Sequence, residues 1–522
     1  GSFGVVYNLV SYTIKARHKD EVTPPRSERP LITAGLLGGL LVTLMGNLEG
    51  VLEALHARGL LPASFWNWID VPGLAQSDVL NSWNPDRIFM WWWHASRVLA
   101  DKNFAGKDMV FQPIDEFPFF SFLLGDNHPH VLALPFVLLA IALAFNLLLR
   151  QMSKVRLPAE VGADASSDPH QRWWNPVAFA LDNDWVLFVF SALILGALGF
   201  LNTWDLPIYL GLVVLAYGLG EALVKTRLDR QIVFRSAILG LGLGILSILL
   251  YIYFYLSFSS QASGILPYVF PPTRLPQYLV MFGTFVFLLT YFLFVYLGKE
   301  SQGSRLWLKS AFSWWWRILL ICIGLYLAIM VLIALALFVV QPIPESTLAA
   351  TIQSVLGGLT LKEAFTASLA AHLRDPWLML MLSALLALVI AGVSSVFQKN
   401  RTSDEAQSET AGGQPTLITD SFVFLLIFIG LALTLLVEFL YLRDGFGVRM
   451  NTLFKFYYQA WVMMGCASAY GVWWLFDRLK RPGSRVIFGL AATLFISLGL
   501  VYTVFAIPSR ANNFVGPANL DG

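Results

Sequence analysis

Long, continuous apolar segments constrain the fold of this chain more than any other feature. A helix needs ~20 mostly apolar residues to cross the hydrocarbon core of a bilayer, and about eleven segments meet that requirement. They cover residues 31–48, 131–149, 185–201, 206–224, 236–258, 276–297, 318–340, 377–397, 421–441, 456–476 and 486–507. None shows the two-residue alternation of a membrane β-barrel. The sequence therefore predicts an all-α, polytopic transmembrane bundle of about 11 to 12 helices.

The composition indicates an integral membrane protein and excludes several other classes. Hydrophobic residues make up 57% of the 522 residues and charged residues only 13%, whereas a soluble domain carries roughly 25% charged residues. The 35 Lys and Arg nearly balance the 33 Asp and Glu, so the basic face of a nucleic-acid-binding protein is not expected. Cys322 and Cys466 lie in apolar runs and indicate neither a disulfide framework nor a zinc site.

The distribution of basic residues predicts the orientation of the chain. Lys and Arg concentrate in alternate loops, including 15–30, 150–176 and 225–235. Such loops face the cytoplasm, so we expect a protein of the inner (plasma) membrane whose other loops are extracytoplasmic. The predicted organisation has three parts, which are a partial helix and cytoplasmic basic loop at 1–30, a transmembrane domain at 31–507 with a long outer loop at 49–130, and an extracytoplasmic tail at 508–522.

Four polar segments fall at the outer ends of the predicted helices. They cover residues 46–55, 115–131, 202–205 and 438–459. Ionisable groups at the membrane edge are energetically costly and are therefore candidates for function. Because alternation of the helices brings all four segments to one side, we expect them to form a single pocket.

The motif GDNHPH at 125–130 carries the candidate metal ligands. Pro129 is favoured in the first turn of a helix, which places Asp126 and His128 at the start of the next span. Asp126, His128 and His130 could bind a divalent metal, or hold a phosphate at the helix N-terminus. A capped helix with a hydrogen-bonded histidine is the alternative.

Glu49 and Glu53 are four residues apart and share one face of a helix. They directly follow the first predicted span, and Glu49 is the nearer to the hydrocarbon. We expect Glu49 to act as a general base on an acceptor hydroxyl. Solvated carboxylates at the end of a helix are the alternative.

The segment 438–459 carries cations on the side where the charge rule makes them scarce. Arg449 and Lys455 are suited to phosphate oxygens, and Asn451 and Tyr458 flank them. Asp205 of the NTWD motif could orient one of these cations. Snorkelling of long basic side chains at the interface is the competing explanation.

Three blocks of this sequence resemble the signature blocks of the YYY-domain membrane proteins, an uncharacterised multi-pass family of bacteria and archaea. The blocks are GDNHPHVLALP, NTWDLP and RMNTLFKFYYQAW, and the resemblance spans nearly the whole chain. That family is similar to the GT-C fold glycosyltransferases, which use lipid-phosphate-linked sugars at the outer membrane face. The resemblance implies a GT-C-like fold, with Glu49 matching the catalytic base or metal ligand of the first outer loop.

The residues and the resemblance together predict a membrane glycosyltransferase that takes a sugar from a polyprenyl-phosphate donor at the extracytoplasmic face. Glu49 and Asp126 are the predicted catalytic residues, and a divalent metal is the predicted cofactor. The predicted substrate and phosphate ligands are His128, His130, Asp205, Arg449, Asn451, Lys455 and Tyr458. A non-catalytic subunit of a larger membrane complex is the main alternative. A transporter is less favoured because the predicted spans carry few charges and no internal repeat.

Overall fold

A computed structural model describes residues 1–17, 28–125, 127–153, 176–260, 264–300, 306–340, 346–405 and 415–515. Helices dominate these ranges. In the first half of the chain they are α1 Ser2–Arg17, α2 Arg29–Gly39, α3 Glu49–Ala57, α4 Ala63–Ile69, α5 Trp91–His94, α6 Pro118–Leu124, α7 Pro129–Ser153, α8 Pro176–Leu181, α9 Trp185–Leu201, α10 Asp205–Lys225 and α11 Arg230–Leu250. In the second half they are α12 Ile252–Ser257, α13 Leu275–Glu300, α14 Leu306–Val340, α15 Thr347–Val355, α16 Leu361–Arg374, α17 Trp377–Glu405, α18 Pro415–Leu436, α19 Met450–Arg478 and α20 Pro482–Arg510.

Eight helices of the described ranges are long and apolar enough to cross a membrane. They are α7, α10, α11, α13, α14, α17, α18 and α20. The segment Arg29–Leu44 and helix α3 satisfy the same requirement as a pair bent by 63°. The chain is thus a multi-pass helical membrane protein, which confirms the predicted all-α, polytopic class, with eight or nine candidate spans in the described ranges where the sequence predicted about 11 to 12.

Helix α19 forms the centre of the bundle although it is not among these eight. Every residue from Tyr457 to Leu475 is buried, and the helix packs against α18, α13, α2 and α1. Protein rather than lipid surrounds it, so it can carry polar side chains such as Gln459 and Ser468. This burial explains why α19 is less apolar than a lipid-facing span.

The first predicted span, 31–48, is interrupted, which corrects the expectation of a continuous helix. Helix α2 continues as a π-helical turn, Leu40–Leu44, after which Met45 adopts an extended conformation. The backbone N–H of Gly46 donates to the carbonyl of Gly499 in α20 (3.1 Å), and that of Leu48 donates to the carbonyl of Val280 in α13 (2.9 Å). Neighbouring helices thereby satisfy backbone groups that the break releases, and Glu49 becomes the first residue of α3.

A short antiparallel sheet joins two loops at the end of the bundle where α3 begins. Strand β1 (Ile265–Pro267) pairs with strand β2 (Leu440–Leu442), and Leu266 lies opposite Tyr441. The pairing holds the segment before α13 against the segment before α19. It therefore brings residues near 270 next to residues near 440.

Candidate functional site

The four polar segments predicted to converge do meet at one end of the bundle. Nε2 of His130 lies 3.8 Å from Oε2 of Glu116, and the His130 ring packs edge-on against Tyr458, with centroids 4.6 Å apart. Gln459 donates to Asp205 at 2.9 Å. Glu49 lies within electrostatic reach of Asp115. We call this region, which carries Glu49, His130, Asp205 and Arg449, the motif end.

Three side chains at the motif end form a compact acidic cluster, which we call the Glu–His cluster. Nδ1 of His94 lies 2.6 Å from Oε1 of Glu53. One ligand atom from each of Glu49, Glu53 and His94 lies within 4.8 Å of the other two. Both glutamates are fully buried, whereas the His94 side chain is 26% exposed. His94 is therefore the member of the cluster that reaches the surface.

Local structure explains how the cluster is assembled. Glu49 and Glu53 are one helical turn apart on α3, so their side chains project from the same face. Asn47, in the break before α3, accepts a hydrogen bond from the Glu49 N–H (3.2 Å) and donates to the Ala95 carbonyl (2.6 Å). Asn47 thus joins the start of α3 to the residue that follows His94.

The Glu–His cluster fits a divalent cation. No N–H group in the described ranges donates to either carboxylate oxygen of Glu49, the group beside it is the like-charged carboxylate of Glu53, and a buried carboxylate without a counter-charge is costly. Carboxylate oxygen and imidazole nitrogen are common ligands of Zn²⁺ and Mn²⁺. The sequence did not single out His94, because its 41-residue separation from Glu53 has no characteristic spacing.

A further buried carboxylate, Asp115, lies close to the Glu–His cluster. Its oxygens accept hydrogen bonds from the Val98 N–H at 3.0 and 3.2 Å. Burial raises the pKa of Asp115 to about 8, although the charge of Arg97 and the backbone N–H groups of Val98 and Leu99 act in the opposite direction. Asp115 is therefore a further buried carboxylate in this part of the motif end that a cation or a proton would neutralise.

Only two of the three predicted metal ligands in the GDNHPH motif lie within the described residues. Asp126, also a predicted catalytic residue, lies outside the described residues. The half-buried His128 ring packs on His130 with centroids 5.3 Å apart. His130 is buried, and its Nε2 lies 3.3 Å from Oγ of Ser121. A metal at Asp126, His128 and His130 stays a prediction, and the Glu–His cluster is the more complete ligand set.

Arg449 has no free donor for the phosphate contact that the sequence suggested. Its guanidinium is 1% exposed, and its five N–H groups are all directed at internal acceptors. The acceptors are the Asp101 carboxylate, the Glu438 carboxylate, the Thr273 hydroxyl and the Val437 carbonyl. Burial lowers the pKa of Arg449, but Asp101 and Glu438 outweigh it and raise that pKa well above its ordinary value. Arg449 is therefore a structural residue.

The other predicted ligands occupy a second polar group around the start of α19. Gln459 bridges Asp205 and Tyr209, accepting from the Tyr209 hydroxyl at 2.6 Å. Lys455 is half-buried over the Trp204 ring, 5.7 Å from its centroid.

No carboxylate of the described residues forms an ion pair with Lys455 within 4 Å. Lys455 therefore remains the candidate phosphate ligand. Asn451 donates to Asp444 at 2.7 Å, and Tyr458 is buried against His130. Their predicted ligand roles stay predictions.

An apolar groove runs between α13 and α20 and reaches the break before α3. Its volume is about 540 Å³. The lining residues are Leu48, Leu279, Gly283, Val286, Phe287, Thr290, Tyr291, Phe294 and Phe495. Leu48, the residue before Glu49, forms part of this wall, so the groove reaches the backbone from which the Glu–His cluster begins.

Comparison with known proteins gives a family but no biochemical role. The model of the family described as "Uncharacterized membrane protein (DUF2298)" matches residues 1–464. No curated protein and no solved structure matches the chain significantly. The matched region contains α3, the GDNHPH motif and the first half of α19. This chain therefore belongs to the DUF2298 family of uncharacterised membrane proteins.

Proposed function

We propose that the protein is a membrane glycosyltransferase of the GT-C type that takes a sugar from a polyprenyl-phosphate donor. The motif end would be its active side and would face away from the cytoplasm of the inner membrane. The proposal rests on one observation: the apolar groove is lined by Leu48, the residue that directly precedes the buried Glu49. The resemblance to YYY-domain proteins, and through them to GT-C enzymes, supports the same activity.

The groove has the dimensions and chemistry expected for an isoprenoid chain. Its α13 wall runs from Leu279 to Phe294, about 22 Å at the rise of an α-helix, whereas the hydrocarbon core is ~30 Å thick. Apart from Thr290 and the Tyr291 hydroxyl, the lining offers only apolar and aromatic groups. A lipid tail lying here would bring its phosphate toward Leu48 and the first turn of α3.

The side chains at the motif end supply the remaining groups for transfer. In the reaction, the bond from the sugar C1 to the phosphate oxygen breaks, a bond from C1 to the acceptor oxygen forms, and Glu49 takes the hydroxyl proton. Lys455 would bind the departing phosphate as a point charge. A divalent cation held by Glu53, His94 and one carboxylate oxygen of Glu49 would neutralise negative charge on that phosphate, and the other oxygen of Glu49 would accept the proton.

Transfer by reconstituted protein tests this proposal. Liposomes containing the full chain would receive polyprenyl-phosphate carrying radiolabelled mannose or glucose, and label that leaves the lipid fraction would be measured. We expect transfer by the wild type and a loss of about 100-fold or more in Glu49→Gln. Asp78→Asn is the matched control, because Asp78 is exposed and lies in the same outer region.

Four outcomes would overturn the proposal. If folded protein transfers no more label than protein-free liposomes do, both donors are excluded. Full activity of Glu49→Gln would show that Glu49 is not the catalytic carboxylate. Accumulation of intact labelled donor without transfer would indicate a transporter. Stoichiometric co-purification with other membrane proteins, again without transfer, would indicate a structural subunit of a larger complex.

A further inference from the structure

We propose that the protein also binds a saccharide, neutral or singly anionic, in a cavity separate from the Glu–His cluster. We call it the tryptophan cavity, and it has a volume of about 840 Å³. Small-molecule sites typically measure ~300 to 1,000 Å³. Its lining includes Trp68, Asp70, Lys102, Arg274, Asp375 and Trp377. This site goes beyond the proposed transfer reaction and does not depend on it.

Two exposed indole rings suit the apolar faces of a sugar. The side chains of Trp68 and Trp377 are 55% and 58% exposed although both line the cavity. Trp377 opens the span α17, where an interfacial anchor alone would explain it. Trp68 lies in α4, a seven-residue helix that spans nothing. Anchoring of a span therefore does not apply to Trp68, whereas a stacking surface for a ligand accounts for both residues.

The polar lining favours hydroxyl groups over a phosphate. Asp70 pairs with Lys102 at 2.6 Å and with Arg274 at 3.1 Å, and Arg274 also lies 3.8 Å from Asp375. The lining thus presents donors and acceptors side by side, with most of its charge already neutralised. A phosphate would meet two carboxylates, whereas a hydroxyl can donate to Asp70 or Asp375 and accept from Arg274.

The lining carries more cationic than anionic side chains, and this difference limits the negative charge that a ligand can carry. Arg374 is exposed, lines the cavity and forms no ion pair with any described residue. With Lys102 and Arg274 it makes three cations against the two carboxylates Asp70 and Asp375. One positive charge of the lining therefore remains, and Asp108, which lies outside the lining 3.9 Å from Lys102, offsets part of it; this balance matches a neutral or singly anionic saccharide.

The buried Arg449 network gives the cavity a rigid base. Asp101 lies between Ala100 and Lys102 on one wall, and Thr273 lies between Pro272 and Arg274 on the other. Arg449 donates to the Asp101 carboxylate at 2.7 Å and to the Thr273 hydroxyl at 2.8 Å. A single buried guanidinium thus joins both walls, and a site organised before binding loses less entropy when a ligand enters.

Equilibrium binding to the full chain in lipid nanodiscs tests the inference. The probes are maltopentaose, chitopentaose and sialyllactose. Their binding is measured by calorimetry and by quenching of tryptophan fluorescence. We expect at least one probe to bind, and Trp68→Ala and Trp377→Ala each to weaken it about tenfold. Trp83→Ala is the matched control, because Trp83 is equally exposed (55%) and does not line the cavity.

Additional variants separate this inference from the proposed function. Asp70→Asn should also weaken binding, whereas Glu49→Gln should leave it unchanged, so saccharide binding can succeed where sugar transfer fails. No binding of any probe by folded protein would overturn the inference. Equal weakening by Trp83→Ala, or displacement of the sugar by glycerol phosphate at lower concentration than by free sugars, would overturn it too. The last result would identify a lipid-headgroup site.

Discussion

Arg449 and Asp101, 348 residues apart in the chain, form a buried bidentate ion pair. Nη2 of Arg449 lies 2.7 Å from Oδ1 of Asp101, and Nε lies 3.0 Å from Oδ2. Planar pairing of this kind has strict geometry. It connects the segment before α19 to the loop that follows α5, two parts that also meet where the Phe111 and Phe446 rings pack 5.2 Å apart.

Removal of this guanidinium should destabilise the protein strongly. Arg449→Met leaves the carboxylates of Asp101 and Glu438 buried without a counter-charge, and we expect a loss of about 3 to 5 kcal/mol in the free energy of unfolding. Unfolding in a series of SDS concentrations measures it. The triple variant Arg449→Met/Asp101→Asn/Glu438→Gln should recover part of the loss. A single variant as stable as the wild type would contradict a structural role for Arg449.

The Glu–His cluster should bind Mn²⁺. We expect the wild type in nanodiscs to bind a single Mn²⁺, detected by electron paramagnetic resonance. Glu49→Gln, Glu53→Gln and His94→Ala should each weaken that binding about tenfold or more, since each removes a ligand atom. Asp78→Asn should bind like the wild type. Unaltered Mn²⁺ binding in all three ligand variants would place the metal elsewhere.

Close packing of α3 on α20 should control the geometry of the cluster. A Cβ added at Gly50 would lie 2.6 Å from Cα of Tyr502, a backbone atom that cannot move aside. We expect Gly50→Ala to lower Mn²⁺ affinity and thermal stability although it removes no ligand. Gly39→Ala is the control, because a Cβ at Gly39 has nothing within 4 Å. Equal behaviour of both variants would show that this contact does not position Glu49.

The stability of the metal-free protein should fall as the pH rises. Burial raises the pKa of Asp115 from 3.8 to about 8, so the folded state holds this proton more tightly than the unfolded state does. The stabilisation is complete below the unfolded pKa and is lost as the pH rises through the folded pKa. Between pH 6 and 9, with EDTA present, Asp115→Asn should show a smaller decline in melting temperature than the wild type. An identical decline in both proteins would exclude Asp115 as its source.

A bulky side chain in the apolar groove should block a lipid donor. Val286→Trp would fill the space between α13 and α20, and we expect it to abolish both sugar transfer and photo-crosslinking of a polyprenyl-phosphate probe. Leu490→Trp is the control, because Leu490 lies on α20 with a 69% exposed side chain and outside the groove lining. Crosslinking that persists in Val286→Trp would place the lipid tail somewhere other than this groove.

The multi-pass helical fold was predictable from sequence because the bilayer imposes its requirement on each helix separately. A span must be long and apolar whatever its neighbours are, so local sequence is sufficient for α7, α13 or α20. The common location of the four polar segments was also predictable, since alternating spans return the chain to the same side. Glu49 stood out because it directly follows an apolar segment.

Tertiary packing alone determines which groups the polar side chains of these segments contact. His94 meets Glu53 because the chain bends by 63° at the break before α3, and the spacing of residues in the sequence does not reveal such a bend. Arg449 looked like a free phosphate ligand in the sequence, yet Asp101 and Thr273 bind its donors inside the protein. The number of free donors on a side chain depends on contacts between distant segments, so only the tertiary structure could determine it.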